Sequence, residues 1–488
     1  MHLILASERE LAFQVSETTT SFVINAGGRY VSHTDGDPLS ASTDTSLPEE
    51  TPTNRRWVMF GLAAGTSFML YLHRYTWVMV RPELKAEFGF SEQQLGGLYT
   101  LFNVTYAIGQ IPGGIVCDLF GPHMFLGIII AAWSLAMPAV GLTGSLTGLG
   151  ASRLAFGAAQ AGCYPSLAKM TRLWFPPKGR TVLQGLIASF FGRSGGAIST
   201  VVFGFMLGAG LSWRSSLVIL SAIGLMFAML FYRLCRSRPE DDPATNQAEV
   251  DLIRAGESDN ADAPRVLPFR RAIRNRSLLI FIVQQFMNAG ADYVYSALMA
   301  SYFIEARGVS DKIVLGLLAS LPLWGGALGG IAGGFINDGL ISRTGNTRLS
   351  RSLTGFSGKV IACVCLYASI THADPMTGAW LLFATKFFSD WTQPTVWGTS
   401  TDMGGRYSAT VFSIINSSGS AGGVVTPLVG GFLLDHYATY EQGVGQMTKI
   451  VHYEPVFLMV GIMYMISGIC WLFINCTNSL DRPEYTDT

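Results

Sequence analysis

One feature constrains this chain more than any other: a run of about twenty apolar residues that keeps coming back. An α-helix rises about 1.5 Å per residue, so about 20 residues cross the roughly 30 Å hydrocarbon layer of a bilayer. Such runs recur about twelve times from Trp57 onward, over roughly 57–80, 93–117, 123–143, 148–170, 181–208, 215–234, 277–304, 313–337, 352–370, 377–401, 407–434 and 455–475. Lipid offers no partner to an open backbone group, so each run is expected to be a helix. Composition agrees, with 49% apolar and only 14% charged residues, where soluble domains carry about a quarter charged. The chain is therefore expected to be an all-α polytopic membrane protein. Lys+Arg 33 against Asp+Glu 33 leaves no net charge and no compositional case for nucleic acid.

The organisation follows from what interrupts the runs. Residues 1–54 are rich in Ser, Thr, Gly, Asp and Pro and read as a disordered cytoplasmic tail. The opening MHLILASERELAF has no basic n-region, so a signal peptide is not expected. Residues 55–234 form a first bundle of six helices, 235–276 a polar cytoplasmic loop, 277–476 a second six-helix bundle and 477–488 a cytoplasmic tail. With the N-terminus inside, Arg55, Arg56, Lys169, Arg172, Lys178, Arg180, Arg343, Arg348, Arg351 and Arg406 fall on the cytoplasmic side. The other side keeps Arg81, Lys85, Arg214, Arg307, Lys312 and Lys449. That bias sets the orientation by the positive-inside rule and implies a multi-pass protein of the cell membrane, with membrane lipid around it.

The two halves repeat. Gly114-Ile-Val-Cys-Asp118 follows span 2 and Gly334-Phe-Ile-Asn-Asp338 follows span 8. The offset, 338 − 118 = 220, equals the offset between the starts of the halves, near 57 and 277. Two parallel six-span halves around a central site is an arrangement that transporters use. The Cys residues show neither disulfide nor zinc spacing and read as small buried hydrophobes. There is no G-x-x-x-x-G-K-[ST] loop, nucleophile–base pair or metal-ligand cluster. Neither an ATP-driven pump nor an enzyme is indicated, and no cofactor or metal is expected.

On these residues the chain resembles the major facilitator superfamily, whose fold is twelve transmembrane helices in two pseudo-symmetric six-helix bundles. Three stretches resemble its anion:cation symporter family, which includes hexuronate, glucarate, galactonate and sialin-type carriers. They are Tyr71-Leu-His-Arg74 with GFSEQQLGGLYTLFNVTYAIGQIPGGIVCDLFG, then Arg153-Leu-Ala-Phe-Gly157-Ala-Ala-Gln160 through Pro165 with WFPPKGR, then Tyr302-Phe-Ile-Glu-Ala-Arg307-Gly308 with GGFINDGLISRTG. The resemblance covers nearly everything after residue 55. It implies a secondary transporter of a small organic anion such as a sugar acid, with a coupling cation, proton or sodium.

Charges inside the runs are the candidate site, because a charged side chain at mid-bilayer costs at least about 2.5–3.5 kcal/mol. Arg74 leads: a guanidinium fork meets a carboxylate in two parallel hydrogen bonds, and the family resemblance gives this Arg the substrate carboxylate. Pairing with a protein carboxylate is the structural alternative. Arg193, mid-span 5, is either a second anion contact or the partner of Asp292 or Asp390. Arg153, expected near the outer end of span 4, either gates or snorkels. Adding 220 to Arg74 lands near Asp292, so the two should face one another. Asp390 stands one turn after Lys386, and an internal ion pair is the plain reading. The resemblance adds Tyr71, Tyr293, Trp397 and Asn416 as substrate contacts. It gives Asp118 and Asp338 a mechanical role, capping a neighbouring helix in the outward-open state.

Two departures bear on coupling. Proton-coupled members of the resembled family carry Glu where this chain has Gln160, and an acidic residue where it has His73. Coupling is then left to Asp292, Asp390 or His73, to sodium, or to none. An organophosphate antiporter is an alternative that Asp292 opposes by repelling a phosphate dianion, and a non-transporting receptor is a second.

Overall fold

The computed structural model describes residues 50–176, 180–255, 269–442, 447–478 and 480. The tail up to residue 49, Lys178, residues 256–268 of the central loop and residues 481–488 lie outside the described residues. The described chain is helical nearly throughout. In the first half α1 (Arg55–Arg74) and α2 (Thr76–Phe88) lead to α3 (Glu92–Ala136), α4 (Leu146–Gln160) and α5 (Cys163–Trp174). Then come α6 (Arg180–Gly185), α7 (Gly192–Gly208) and α8 (Trp213–Leu234). The central segment holds α9 (Gln247–Arg254) and α10 (Phe269–Arg274). The second half runs through α11 (Arg276–Ala291), α12 (Met299–Glu305), α13 (Lys312–Thr344), α14 (Thr347–Thr371), α15 (Pro375–Asp390), α16 (Gln393–Gly404) and α17 (Ser408–His436). A hairpin of β1 (Thr439–Gln442) and β2 (Met447–Ile450) precedes α18 (Glu454–Phe473). Sequence patterning gave no sign of that hairpin.

Seven helices among the described residues are by themselves long and apolar enough to cross a membrane. The four other expected spans are broken into shorter or more polar pieces. Span 1 breaks at Tyr75, span 4 at Ala161–Gly162, span 7 at Asp292 and span 10 at Trp391–Thr392. Pro165 and Pro394 explain two of the breaks, since proline offers no N–H to the carbonyl four residues back. Conversely, α3 carries spans 2 and 3 across a kink at Gly121, whose φ of 79° suits glycine. Joining the broken pieces and dividing α3 there provides a helix for each of the twelve expected spans.

Each break leaves a polar residue at the end of the preceding segment. Arg74 ends α1, Gln160 ends α4, Asp292 caps α11 and Asp390 ends α15. Broken helices whose ends line a cavity are how transporter folds build polar sites inside a membrane.

The halves meet along two crossings of small residues. A Cβ on Gly204 in α7 would lie 2.7 Å from the Lys312 carbonyl of α13 and 3.0 Å from Gly316 Cα. One on Gly96 in α3 would lie 2.5 Å from the Pro427 carbonyl of α17. Removing the side chain lets backbones touch, the packing device that helices use where lipid removes the hydrophobic drive. Gly96 and Gly316 are 316 − 96 = 220 residues apart, so the crossings are repeat partners.

One group of polar contacts between the halves clusters at one end. Arg81 is fully buried against Glu92 and donates to Ser301 at 2.6 Å, and Lys85 pairs with Glu305 at 2.6 Å. Both cross-half partners are 220 residues apart, which puts them beside the pseudo-twofold axis. Lys312 meets Glu83 at 2.5 Å, and Asp435 of α17 accepts from the Glu92 and Gln93 amides at the start of α3. At the opposite end the central segment braces the first half, with Arg55 on Asp242 at 2.8 Å and Arg56 on Glu249 at 3.3 Å.

Candidate functional site

The breaks at Tyr75 and Asp292 open onto a cavity of about 200 Å³ between the halves. Arg74 reaches it from the last turn of α1, where the helix dipole favours a cation. Its Nε donates to Gln160 Oε1 at 3.0 Å, and Gln160 in turn donates to the Leu70 carbonyl at 3.2 Å. The guanidinium rests on aromatic faces, 4.4 Å from the Tyr106 ring centre, 5.1 Å from Phe102 and 5.2 Å from Tyr71. Such contacts are worth roughly 0.5–2 kcal/mol each and fix the plane of the fork. No described carboxylate pairs with Arg74, and its Nη2 is buried without a hydrogen-bond partner among the described residues. A neutral amide thus orients the fork from behind and leaves its charge uncompensated.

Across the cavity the charges are closed on themselves. Arg193 Nη2 contacts Asp292 at 2.8 Å and Asp390 at 3.1 Å. Lys386 contacts the same two carboxylates at 2.6 Å each. The four side chains form a ring of alternating sign whose only member from the first half is Arg193. Lys386 and Asp390 are 0% and 2% exposed, whereas Arg193 and Asp292 are 10% and 27% exposed, so the Arg193–Asp292 edge is the one that reaches the cavity. Of the two readings of Arg193, its pairing with both carboxylates is the geometry present. Its Nη1 also donates to the Tyr75 hydroxyl at 3.3 Å, and Tyr75 stacks on Tyr71 at 5.6 Å. Arg74 and Asp292 share the cavity without touching one another.

The remaining candidates divide. Tyr71, Tyr293 and Asn416 line the cavity, and Asn416 donates to Gln110 Oε1 at 2.8 Å from the other half. Trp397 does not line it; its ring stacks on Phe412 at 4.3 Å. His73 points away, buried against α8 with Nε2 3.1 Å from the Leu220 carbonyl. Arg153 does not snorkel: it is buried 4.3 Å from the Trp77 ring centre. Asp118 pairs with Lys169 at 2.9 Å, and Asp338 accepts from neighbouring Asn337 at 3.3 Å. Among the described residues neither caps a neighbouring helix in this conformation, whereas Asp435 caps one across the halves.

Sequence reasoning passed over several groups. Tyr99, Asn103 and Tyr106 line the cavity from α3, and their spacing of four and three marks one helical face. Ser296, Gln285 and Ser420 add further polar groups from the second half. Apart from the Arg193–Asp292 pair, the wall is therefore phenol, amide and hydroxyl around one open guanidinium, suited to an anion that also carries hydroxyls. Lys359, midway along α14, is fully buried, bonded to Asn288 and 2.7 Å from Ser389 Oγ. Arg81, placed with the outer loops, proves to be buried as well.

Known proteins resemble the chain over most of its length. The Major Facilitator Superfamily model matches residues 60–427. The Probable sulfoacetate transporter of Cupriavidus necator is 29% identical over 431 residues, covering 88% of this chain and 96% of its own. A Probable galactarate/D-glucarate transporter of Escherichia coli K12 is 25% identical, covering 81% and 90%. The Hexuronate transporter of Bacillus subtilis is 25% identical, covering 79% and 89%. Among solved structures, a bacterial homologue of the human lysosomal transporter Spinster, inward-facing and occupied, superposes with a TM-score of 0.65 at 18% identity, over 87% of this chain and 97% of that one.

Proposed function

The chain belongs to the Major Facilitator Superfamily as a multi-pass membrane transporter rather than an enzyme, and on that premise we propose that it carries a small hydroxylated or sulfonated carboxylate, held by Arg74. The observation behind this reading is the buried Arg74 Nη2 with no protein acceptor, beside a cavity whose other charged lining groups, Arg193 and Asp292, are paired with one another. A carboxylate there makes charge-assisted hydrogen bonds, roughly twice as strong as neutral ones. The relatives named for sulfoacetate, galactarate, glucarate and hexuronate all concern such anions. Asp292 on the facing wall weighs against a phosphate dianion.

With the N-terminus on the cytoplasmic side of a cell membrane, the end joined by Arg81, Lys85 and Asp435 faces outward and the conformation is inward-facing. Outward opening must break those contacts while the crossings at Gly96 and Gly316 act as the hinge. Cation coupling falls to Asp292 and Asp390, since Gln160 cannot titrate and His73 lies outside the cavity. Uptake of galacturonate, galactarate and sulfoacetate into proteoliposomes, under an imposed pH or sodium gradient, tests both parts. The reading expects concentrative uptake that Arg74→Gln abolishes and that Asp292→Asn or Asp390→Asn uncouples from the gradient. Concentrative uptake unchanged in both Asp variants would remove the carboxylates from coupling, and binding without any uptake would favour a receptor.

A further inference from the structure

The cavity holds two guanidiniums, and only one of them is free. Arg74 and Arg193 both line it, and a pair of stacked rings joins them. The Arg74 guanidinium carbon lies 5.2 Å from the Tyr71 ring centre, Tyr71 stacks on Tyr75 at 5.6 Å, and Arg193 Nη1 donates to the Tyr75 hydroxyl at 3.3 Å. An acid with an anionic group at each end can therefore set one on each guanidinium. Among the described residues no third cation lines the cavity. Lys359 is fully buried, and its three donors are spent on Asn288 and on the Ser389 carbonyl and hydroxyl.

Arg193 is held in a way that lets one acceptor be exchanged. Its Nη2 is shared between Asp292 at 2.8 Å and Asp390 at 3.1 Å, and its Nη1 makes only the long bond to Tyr75. Asp292 has a second cation, Lys386 at 2.6 Å, so it can leave Arg193 without being stranded. An incoming carboxylate can then take Nη1 and Nη2 together, the two-bond fork that a guanidinium offers. Charge no longer balances after that exchange. Arg193 and Lys386 serve Asp292 and Asp390 in the closed ring, and a third carboxylate leaves two cations facing three anions. Besides the ring and Lys359, the titratable groups around Asp292 are the phenols of Tyr75, Tyr99, Tyr295 and Tyr464, which carry no charge that would restore the balance. An unpaired carboxylate at such a buried site is strongly disfavoured.

Building on the reading of Arg74 as the carboxylate site, we propose that Arg193 holds the second anionic group of a dianionic substrate, and that a dianion binds with one cation more than a monoanion does. The extra cation, a proton or a sodium ion from the water that delivers the substrate, rests on Asp292. A monoanion sits on Arg74 alone and leaves the ring closed. The charge of the substrate thus sets the number of cations bound with it.

The test is isothermal titration of the full-length protein in detergent with galactonate and galactarate, which differ only in that galactarate carries a second carboxylate. Both acids are fully ionised between about pH 6 and 8, so a pH series and a sodium series separate the two cations. Galactarate affinity is expected to gain on galactonate affinity about tenfold per pH unit of acidification, or about tenfold per tenfold rise in sodium, as one additional bound cation requires. In Asp292→Asn that excess is expected to vanish, since two carboxylates then face two cations. Should this variant fail to fold, the two wild-type slopes decide alone. Equal slopes in the wild type, an excess that survives Asp292→Asn, or binding of galactonate without galactarate would each overturn the proposal while leaving Arg74 in place. Failure of the Arg74 reading looks different: neither acid binds the wild type, or both bind Arg74→Gln undiminished, and the present proposal then falls with it.

Discussion

Arg74 and Arg153 in the first half and the charge ring around Lys386 in the second are buried in opposite ways. The first half holds Arg74 and Arg153 with no described carboxylate for either, resting both on aromatic rings. The second half gives Lys386 two carboxylates and presents both to Arg193 as well. Compensated charge ties helices together. Uncompensated charge waits for something that is not protein. Binding should therefore follow the first half's cations, and stability should follow the second half's ring.

Lys386→Met is the harshest way to break that contrast. It leaves Asp292 and Asp390 facing one guanidinium and should cost about 3–5 kcal/mol, the range for removing one partner of a buried pair. Thermal unfolding in detergent reads this, and a neutral outcome would mean that the ring is not structural. Arg74→Gln should do the reverse. Its melting temperature should be unchanged or higher, while anion affinity falls by about 10- to 150-fold, or about 1.5–3 kcal/mol. Loss of stability to match Lys386→Met would erase the distinction between the halves.

Gln160→Glu sharpens the contrast by giving Arg74 the carboxylate that it lacks. At neutral pH the new carboxylate pairs with the guanidinium and competes with substrate, so affinity should drop about tenfold, as for one charge-assisted bond. Acidification protonates the Glu and frees Arg74, so affinity should recover as pH falls, a dependence that isothermal titration at several pH values would show. Tyr106→Leu is the mildest change: it removes the nearest ring over Arg74 and should weaken anion binding by about 0.5–2 kcal/mol.

Much of this was legible in the sequence because it is local or periodic. Apolar runs placed the spans, and the offset of 220 between Asp118 and Asp338 recurs in Arg81–Ser301 and Lys85–Glu305. Arg74, Arg193, Asp292, Lys386 and Asp390 were visible as charges within apolar runs. Which of them pair was not, since pairing depends on rotation of helices far apart in the chain. Arg81 looked like a loop cation because Glu92, its partner, lies beyond the turn between α2 and α3. The breaks after Ala161 and Trp391 could have been read from Pro165 and Pro394, whereas the break at Tyr75 has no local proline to announce it. Trp397 shows the limit of resemblance: a matching position does not ensure a side chain in the cavity.

The central claim is that Arg74 is an open anion site, and a ligand screen by thermal shift on wild type and Arg74→Gln tests it most directly. The panel is hexuronates, aldonates, aldarates, sulfoacetate, glycerol phosphate and neutral sugars. A ligand at 100 times its dissociation constant stabilises by about 2.7 kcal/mol, which is a readable shift. The account expects stabilisation by carboxylates alone, lost in Arg74→Gln. Stabilisation that survives Arg74→Gln, or that is confined to the phosphorylated compound, would contradict it.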